Sequence, residues 1–214
     1  MKAILISGFL EGLSDNIKPL LDKQTDVYIH TWDHERSNRW VKKLNRYKKY
    51  CNNIIVETEE SRFDKKLYSY VYSTYKAANL IKDLTKYTVI IKFKPNLDGE
   101  LTYKGDTQHY FHKAFIQSRP LLDGVRREMC VYGSIYYSTL DERVFTIYPK
   151  GLRDSFHIPE NIFLKEVENL DKQLIEKYGP FYEGSIFWKE WFEARGLKLI
   201  QDLDLKIPNN KSYE

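Results

Sequence analysis

Four short apolar runs recur along the first 93 residues, separated by stretches with helical spacing. The first, Ala3-Ile4-Leu5-Ile6, is uninterrupted and stops at Ser7-Gly8. Unbroken apolarity of this kind marks a strand covered on both faces. Residues 26–33, which include Val27, Tyr28, Ile29, Thr31 and Trp32, are rich in the β-branched and aromatic side chains that strands favour. Residues 53–58 and 88–93 repeat the pattern, and the last run is stopped by Pro95 and the turn residues Asn96, Asp98 and Gly99. Between the runs, residues 11–22 offer Ser14 or Asp15 as N-caps and 36–50 form a basic helical stretch. Residues 63–84 read as one long helix, with Leu67, Val71, Tyr75, Ala78 and Ile81 on one face. Strands alternating with helices predict an α/β fold with a mostly parallel central sheet flanked by helices. Ligands of such sheets bind beyond the carboxyl ends of the strands. Those ends are Ser7-Gly8, Thr31-Trp32-Asp33, Glu57-Thr58 and residues 92–98.

After residue 100 the rhythm loosens. Residues 107–118 are expected to be a helix, 129–137 and 143–148 a strand pair, 160–178 and 185–195 helices, and 197–205 a last strand. Gly196 stands where a C-terminal cap belongs. A chain of 214 residues with 17 Tyr, 11 Phe and 4 Trp is too aromatic for disorder and long enough for one sizeable core. One domain over residues 1–205 with a polar tail at 206–214 is expected. No apolar run approaches the ~20 residues of a membrane span. The start, Met1-Lys2 and then residues 3–10, holds Ser7 and Gly8 and runs into Glu11, so a strand fits better than a secretory signal. Cys51 and Cys130 lie far apart without ligand spacing, which predicts a reduced, cytoplasmic setting.

Charge is uneven. Residues 1–120 carry 21 Lys/Arg against 14 Asp/Glu, and 121–214 carry 13 against 16. A basic front half and an acidic back half point to an anionic ligand handled mainly by the front. Lys92 and Lys94, at period-two spacing, leave one strand face together, with Asp98 just beyond. Lysines beside a carboxylate able to hold a divalent cation suit a diphosphate; the alternative is a solvated strand edge ending in an ordinary turn. Residues 36–50 hold Arg36, Arg39, Lys42, Lys43, Arg46, Lys48 and Lys49 among Trp40, Tyr47 and Tyr50. Cations interleaved with aromatics suit a phosphate backbone, and the competing reading is a solvated basic helix.

The remaining candidates carry less signal. Glu183 stands at a helix start, where an acid is either a catalytic base or simply favoured by the helix dipole. Asp202 and Asp204 share a strand face near the C-terminus and read as solvated acids. His109 and His112 are i,i+3 with no evident third ligand. His30 reads as a hydrogen-bonded core residue, and His157 leads into a helix through Pro159.

The order ISG, HTWD, then Tyr75-Lys76-Ala77-Ala78-Asn79-Leu80 before IIKFKPNLD resembles small glycosyltransferases of the GT-A fold. It is most similar to the WavE-like and the viral or phage glycosyltransferases, which read roughly ISG-x-x-R, HTWD, YS-x-x-x-A and VIK-x-RPDL. The resemblance spans residues 1–100 and rests on the order of motifs, none of which is specific alone. It implies a single GT-A-like, Rossmann-like domain, with a nucleotide-sugar-binding half at 1–100 and an acceptor half at 101–205. It also implies that Ser7, Gly8 and Phe9 line the nucleotide, with Asp33 near its base or ribose. Lys76 and Asn79 would face the same cleft, with Lys92 or Lys94 near the diphosphate. Asn96-Leu97-Asp98 takes the place of the family's Asp-x-Asp metal motif, leaving Asp98 as the metal-binding carboxylate for Mg2+ or Mn2+. With one carboxylate exchanged for an amide, the metal is bound weakly or is dispensable. Glu11 stands where relatives often have Arg. Glu183 matches the acid-before-helix that serves as base.

These features predict transfer of a sugar from a nucleotide-diphosphate sugar, such as a UDP-sugar, to a hydroxyl. The chain's size, the lack of a membrane span and the basic stretch favour hydroxymethylcytosine in double-stranded phage DNA as acceptor, which would place the protein in the host cytoplasm. A glycan or lipopolysaccharide acceptor is the alternative. Outside enzymology, the missing first Asp allows a nucleotide-sugar-binding module without catalysis.

Overall fold

The computed structural model describes residues 1–10, 21–93, 127–136 and 139–201. In chain order the elements are β1 (Lys2–Ser7), β2 (Thr25–Trp32), α1 (Glu35–Leu44), β3 (Asn53–Glu59), α2 (Lys66–Asn79) and β4 (Val89–Phe93). The second half adds β5 (Cys130–Tyr136), β6 (Thr139–Ile147), α3 (Pro149–Phe156), α4 (Glu160–Tyr178), α5 (Gly184–Glu193) and β7 (Lys198–Gln201). The strands form one sheet in the order β3-β2-β1-β4-β6-β5-β7. Only β6 runs against its neighbours β4 and β5; the other described pairings are parallel. The expected mostly parallel sheet flanked by helices is therefore present.

Why the first strands read as unbroken apolar runs is plain from their two faces. Ile4, Ile6, Val27, Ile29, Ile54 and Ile91 are buried on one side with Leu44 and Tyr47, at and just beyond the end of α1. Ala3, Leu5, Tyr28 and Ile90 are buried on the other, beneath α2 and the aromatic residues of α3, α4 and α5. Phe156, Phe163, Phe187, Trp188, Trp191 and Phe192 form the heart of that second layer. Burying such a ring cluster supplies the area that stabilises the fold, at about 25 cal/mol per Å2.

Some expected elements have different limits. The helix expected over residues 63–84 is shorter: α2 ends at Asn79, and a separate 3-10 turn, Leu84–Lys86, follows. The break is fixed by side chains, since Asn79 turns its amide onto the Tyr75 and Phe156 carbonyls and Asp83 caps the Thr85 amide. The basic stretch divides into α1 and a 3-10 turn, Asn45–Tyr47. The expected strand pair is β5 and β6, with β5 a residue shorter at each end and β6 beginning four residues earlier, and α3 is an element that the sequence spacing does not predict. The helix expected at 160–178 has those limits, and Gly196 takes the positive φ of +70° expected of a cap. The helices expected at 11–22 and 107–118 fall largely or wholly outside the described residues.

Candidate functional site

From β1 the chain builds outward in both directions, to β2 and β3 on one side and to β4 on the other. Such a reversal opens a crevice beyond the carboxyl ends of the two diverging strands. At this switch point β1 delivers Ser7, Gly8 and Phe9, and β4 delivers Lys92, level with Leu5 of β1. Gly8 has a φ of +94°, a left-handed conformation that costs glycine nothing and turns the chain sharply off the strand. Its amide is held by Ser73 Oγ at 2.7 Å and by the His30 carbonyl at 3.2 Å.

Ser7, His30 and Glu57 are in register across β1, β2 and β3. They make a polar seam under α2. Ser7 Oγ meets Thr74 Oγ1 at 2.9 Å, and His30 Nδ1 meets Ser73 Oγ at 2.9 Å. Ser73 Oγ also donates to the His30 carbonyl at 3.0 Å. All of these side chains are buried, so hydroxyl pairing removes the cost of leaving them dry. Burial holds the His30 imidazole below the ordinary histidine pKa, with partial relief from Glu59. Lys76 reaches Glu57 at 2.9 Å and Glu59 at 3.4 Å. Burial would lower its pKa, but the bond to Glu57 and both carboxylate charges hold it above the ordinary lysine value.

Lys92 has no exposure at all. Its Nζ lies 4.2, 5.4 and 5.8 Å from the ring centres of Tyr70, Phe145 and Trp188. It is thus a charge inside a ring cage beside the switch point, rather than a solvated strand edge. Asp33 follows β2 with its amide on the Glu59 carbonyl at 2.7 Å, and its carboxylate accepts from Asn38 at 2.7 Å. Phe9 meets His34 edge to face at 5.7 Å. Asn79 lies elsewhere: its amide joins the end of α2 to the end of α3. Lys94, Asn96, Asp98, Glu11, His109, His112, Asp202 and Asp204 lie outside the described residues.

Glu183 is the residue before α5, exposed, and accepts a hydrogen bond from Ser185 Oγ at 3.1 Å. Its neighbour Tyr182 donates to Asp171, which also takes Lys65 at 2.5 Å and Tyr68 at 3.0 Å. Lys65 precedes α2, which begins after β3 has ended, so Asp171 ties the start of α5 to the segment between β3 and α2. Asp171 is buried, which would raise its pKa, yet the bonds from Lys65, Tyr182 and Tyr68 hold it below the ordinary value.

On α1 and the turn after it, Arg39, Lys42, Arg46 and Lys49 are exposed while Leu44 and Tyr47 are buried. Lys43 lies 4.4 Å over the Trp40 ring. None of these cations pairs with an acid among the described residues, and the Arg36 side chain is not among them. The sequence reading named Glu57 only as a strand end, and it missed Glu59, Ser73 and Asp171. Glu57 and Glu59 carried a signal, since period-two acids at a strand end share a face.

No family model matches the sequence, and no curated protein matches it. Among solved structures, the glycosyltransferase GlyE of Streptococcus pneumoniae aligns with a TM-score of 0.50 and 10% identity, over 95% of this chain. The chain spans 45% of the GlyE chain. Mouse xyloside xylosyltransferase 1 aligns more loosely, with a TM-score of 0.38 and 10% identity over 94% of this chain and 85% of its own. The fold assignment rests on the first of these: the described residues form a single α/β domain that is GT-A-like.

Proposed function

We propose that the protein is a glycosyltransferase using a nucleotide-diphosphate sugar. The observation that carries this reading is the meeting of the Ser7-Gly8 turn with the caged Lys92 at the switch point of a GT-A-like sheet. In this reading Ser7, Gly8 and Phe9 border the nucleotide, and Asp33 lies toward its base or ribose. Lys92 and Lys94 supply positive charge toward the diphosphate. A charge held among rings acts in a low dielectric, where its field on a departing diphosphate is stronger than in water. Lys76 and Asn79 enter through α2, whose position they fix against β3 and α3.

Sugar transfer then needs a proton acceptor. As the acceptor oxygen bonds to the anomeric carbon, the bond from that carbon to the diphosphate breaks and its electron pair leaves with the diphosphate. The hydroxyl proton passes to the Glu183 carboxylate. The Asn96-Leu97-Asp98 segment offers a divalent cation one carboxylate and one amide. Mg2+ or Mn2+ bound there would neutralise diphosphate charge.

For the acceptor, the basic face of α1 supports an anionic polymer, and hydroxymethylcytosine in duplex DNA is our choice over a lipopolysaccharide glycan. The target base would leave the stack to reach the donor. The test is hydrolysis and transfer with a panel of nucleotide sugars, with and without Mn2+, on both acceptor types. Turnover that collapses in Glu183→Ala is expected. A donor that binds without turnover leaves a binding module, and no donor binding removes the reading. DNA binding that weakens steeply with salt is expected; none at low ionic strength removes the DNA acceptor.

A further inference from the structure

The carboxyl ends of β2 and β3 gather a second group of side chains, one strand over from the switch point. His30 Nε2, Glu57 and Glu59 each present one donor atom, and these atoms lie within 4.8 Å of one another. His30 is fully buried, and its Nε2 has no hydrogen-bond partner among the described residues. Glu59 Oε2 is 3.5 Å away, too far for a good hydrogen bond. A buried nitrogen left unsatisfied costs free energy unless something occupies the gap. Two donor atoms on one tetrahedral cation with bonds of about 2.1 Å stand about 3.4 Å apart. The gap between imidazole and carboxylate has that size.

We propose that His30, Glu57 and Glu59 form a site for a divalent transition-metal ion of the zinc or manganese class. The rest of the imidazole is arranged for it. Ser73 Oγ faces Nδ1 at 2.9 Å and can accept its proton while giving its own to the His30 carbonyl. That choice leaves the Nε2 lone pair directed at the carboxylates, which is how a metal-ligating histidine is commonly oriented by its other nitrogen. Burial disfavours the charged imidazolium, and a metal ligand must be the neutral ring. Glu57 and Glu59 are part exposed, with side-chain exposures of 37% and 25%, so the site opens to solvent.

Two cations compete for the carboxylates. Lys76 touches both, and Arg62 Nε is 3.6 Å from Glu59 Oε1. Arg62 keeps a second partner in Glu160, whereas Lys76 has its described ion pairs only with these two acids. A bound ion therefore displaces the Lys76 ammonium toward water. The site is separate from the donor reading and does not depend on sugar transfer.

The test is titration of the full chain with Zn2+, alone and in variants, with the nitrogen shifts of the five histidines followed by NMR. We expect one equivalent to bind and the His30 Nε2 resonance to move. Glu57→Gln should weaken binding at least tenfold, and Ser73→Ala by about 10- to 100-fold, the range for lost orienting partners. Lys76→Gln should tighten it by removing the competitor. His30→Gln should abolish it; where that variant does not fold, the Nε2 shift and Glu57→Gln decide. An unmoved Nε2 resonance or unchanged affinity in Glu57→Gln overturns the site. So does binding lost only in Asp98→Asn, which places the ion elsewhere.

Discussion

The Lys92 ammonium lies 4.2 Å from the centre of the Tyr70 ring, and that ring also borders the Gly8 turn, 3.7 Å from where a Cβ on Gly8 would be. One aromatic face thus joins the buried charge of β4 to the loop of β1. If that charge serves the leaving diphosphate, Lys92→Met should lower turnover about 100-fold, the scale of losing one electrostatic stabiliser. Circular dichroism should remain native, because Met keeps the packing against the Tyr70, Phe145 and Trp188 rings. Full turnover in this variant would remove Lys92 from the chemistry.

Ser73 holds Gly8, the His30 ring and the His30 carbonyl through one oxygen. Ser73→Ala leaves buried donors without acceptors, and should cost about 1–3 kcal/mol. Urea unfolding checks it. A change under 0.5 kcal/mol would mean that the seam relaxes around the loss, within the range of ordinary surface substitutions.

Asp171 is the carboxylate that binds α4 to the start of α2 and to the loop before Glu183. Asp171→Asn should cost about 2 kcal/mol, as charge-assisted hydrogen bonds do. Lys65→Gln should cost less, because Lys65 is 40% exposed and its pairing is screened. Comparing the two by denaturant midpoint separates the buried end of the pair from the wet one.

Acid should weaken the fold in two stages. Burial holds the His157 pKa below the ordinary 6.5, despite the Ala78 carbonyl beside its Nε2. The unfolded chain therefore takes up this proton first, and stability falls as pH drops below 6.5. Asp171 and Glu160 are held below their ordinary values by Lys65, Tyr182 and Tyr68 and by Arg62 and Tyr72. Their contribution is present above the ordinary carboxylate range and is lost as pH falls through the lowered folded values. Unfolding midpoints between pH 7.5 and 3 should show both declines. His157→Gln should make the first shallower, leaving the part that His30, held down by the same burial, contributes.

Much of this architecture is legible in the sequence because both faces of its central strands are covered. Ala3 to Ile6 can only be apolar throughout when helices lie above and below, and α4 announces itself by nineteen residues of regular spacing. α3 is hidden for the opposite reason. It has eight residues with Gly151 among them, and Pro149 at its first turn is its one clear signal. The candidate site divides in the same way. Strand ends are one-dimensional facts, so Ser7, Gly8 and Asp33 could be named in advance. The fellowship of His30 with Glu57 and Glu59 depends on strand register, and that of Lys92 with Trp188 on how α5 lies across the sheet. Neither follows from local spacing.

The Ser73 hydroxyl has a consequence beyond stability. It stands between the turn proposed to border a nucleotide and the imidazole proposed to hold a metal ion. A ligand that draws the Gly8 amide away from Ser73 Oγ changes what that oxygen offers His30, and an ion on His30 changes what it offers Gly8. Linkage requires the two effects to be equal in free energy. The donor and the ion would then read one another's occupancy through a single shared oxygen.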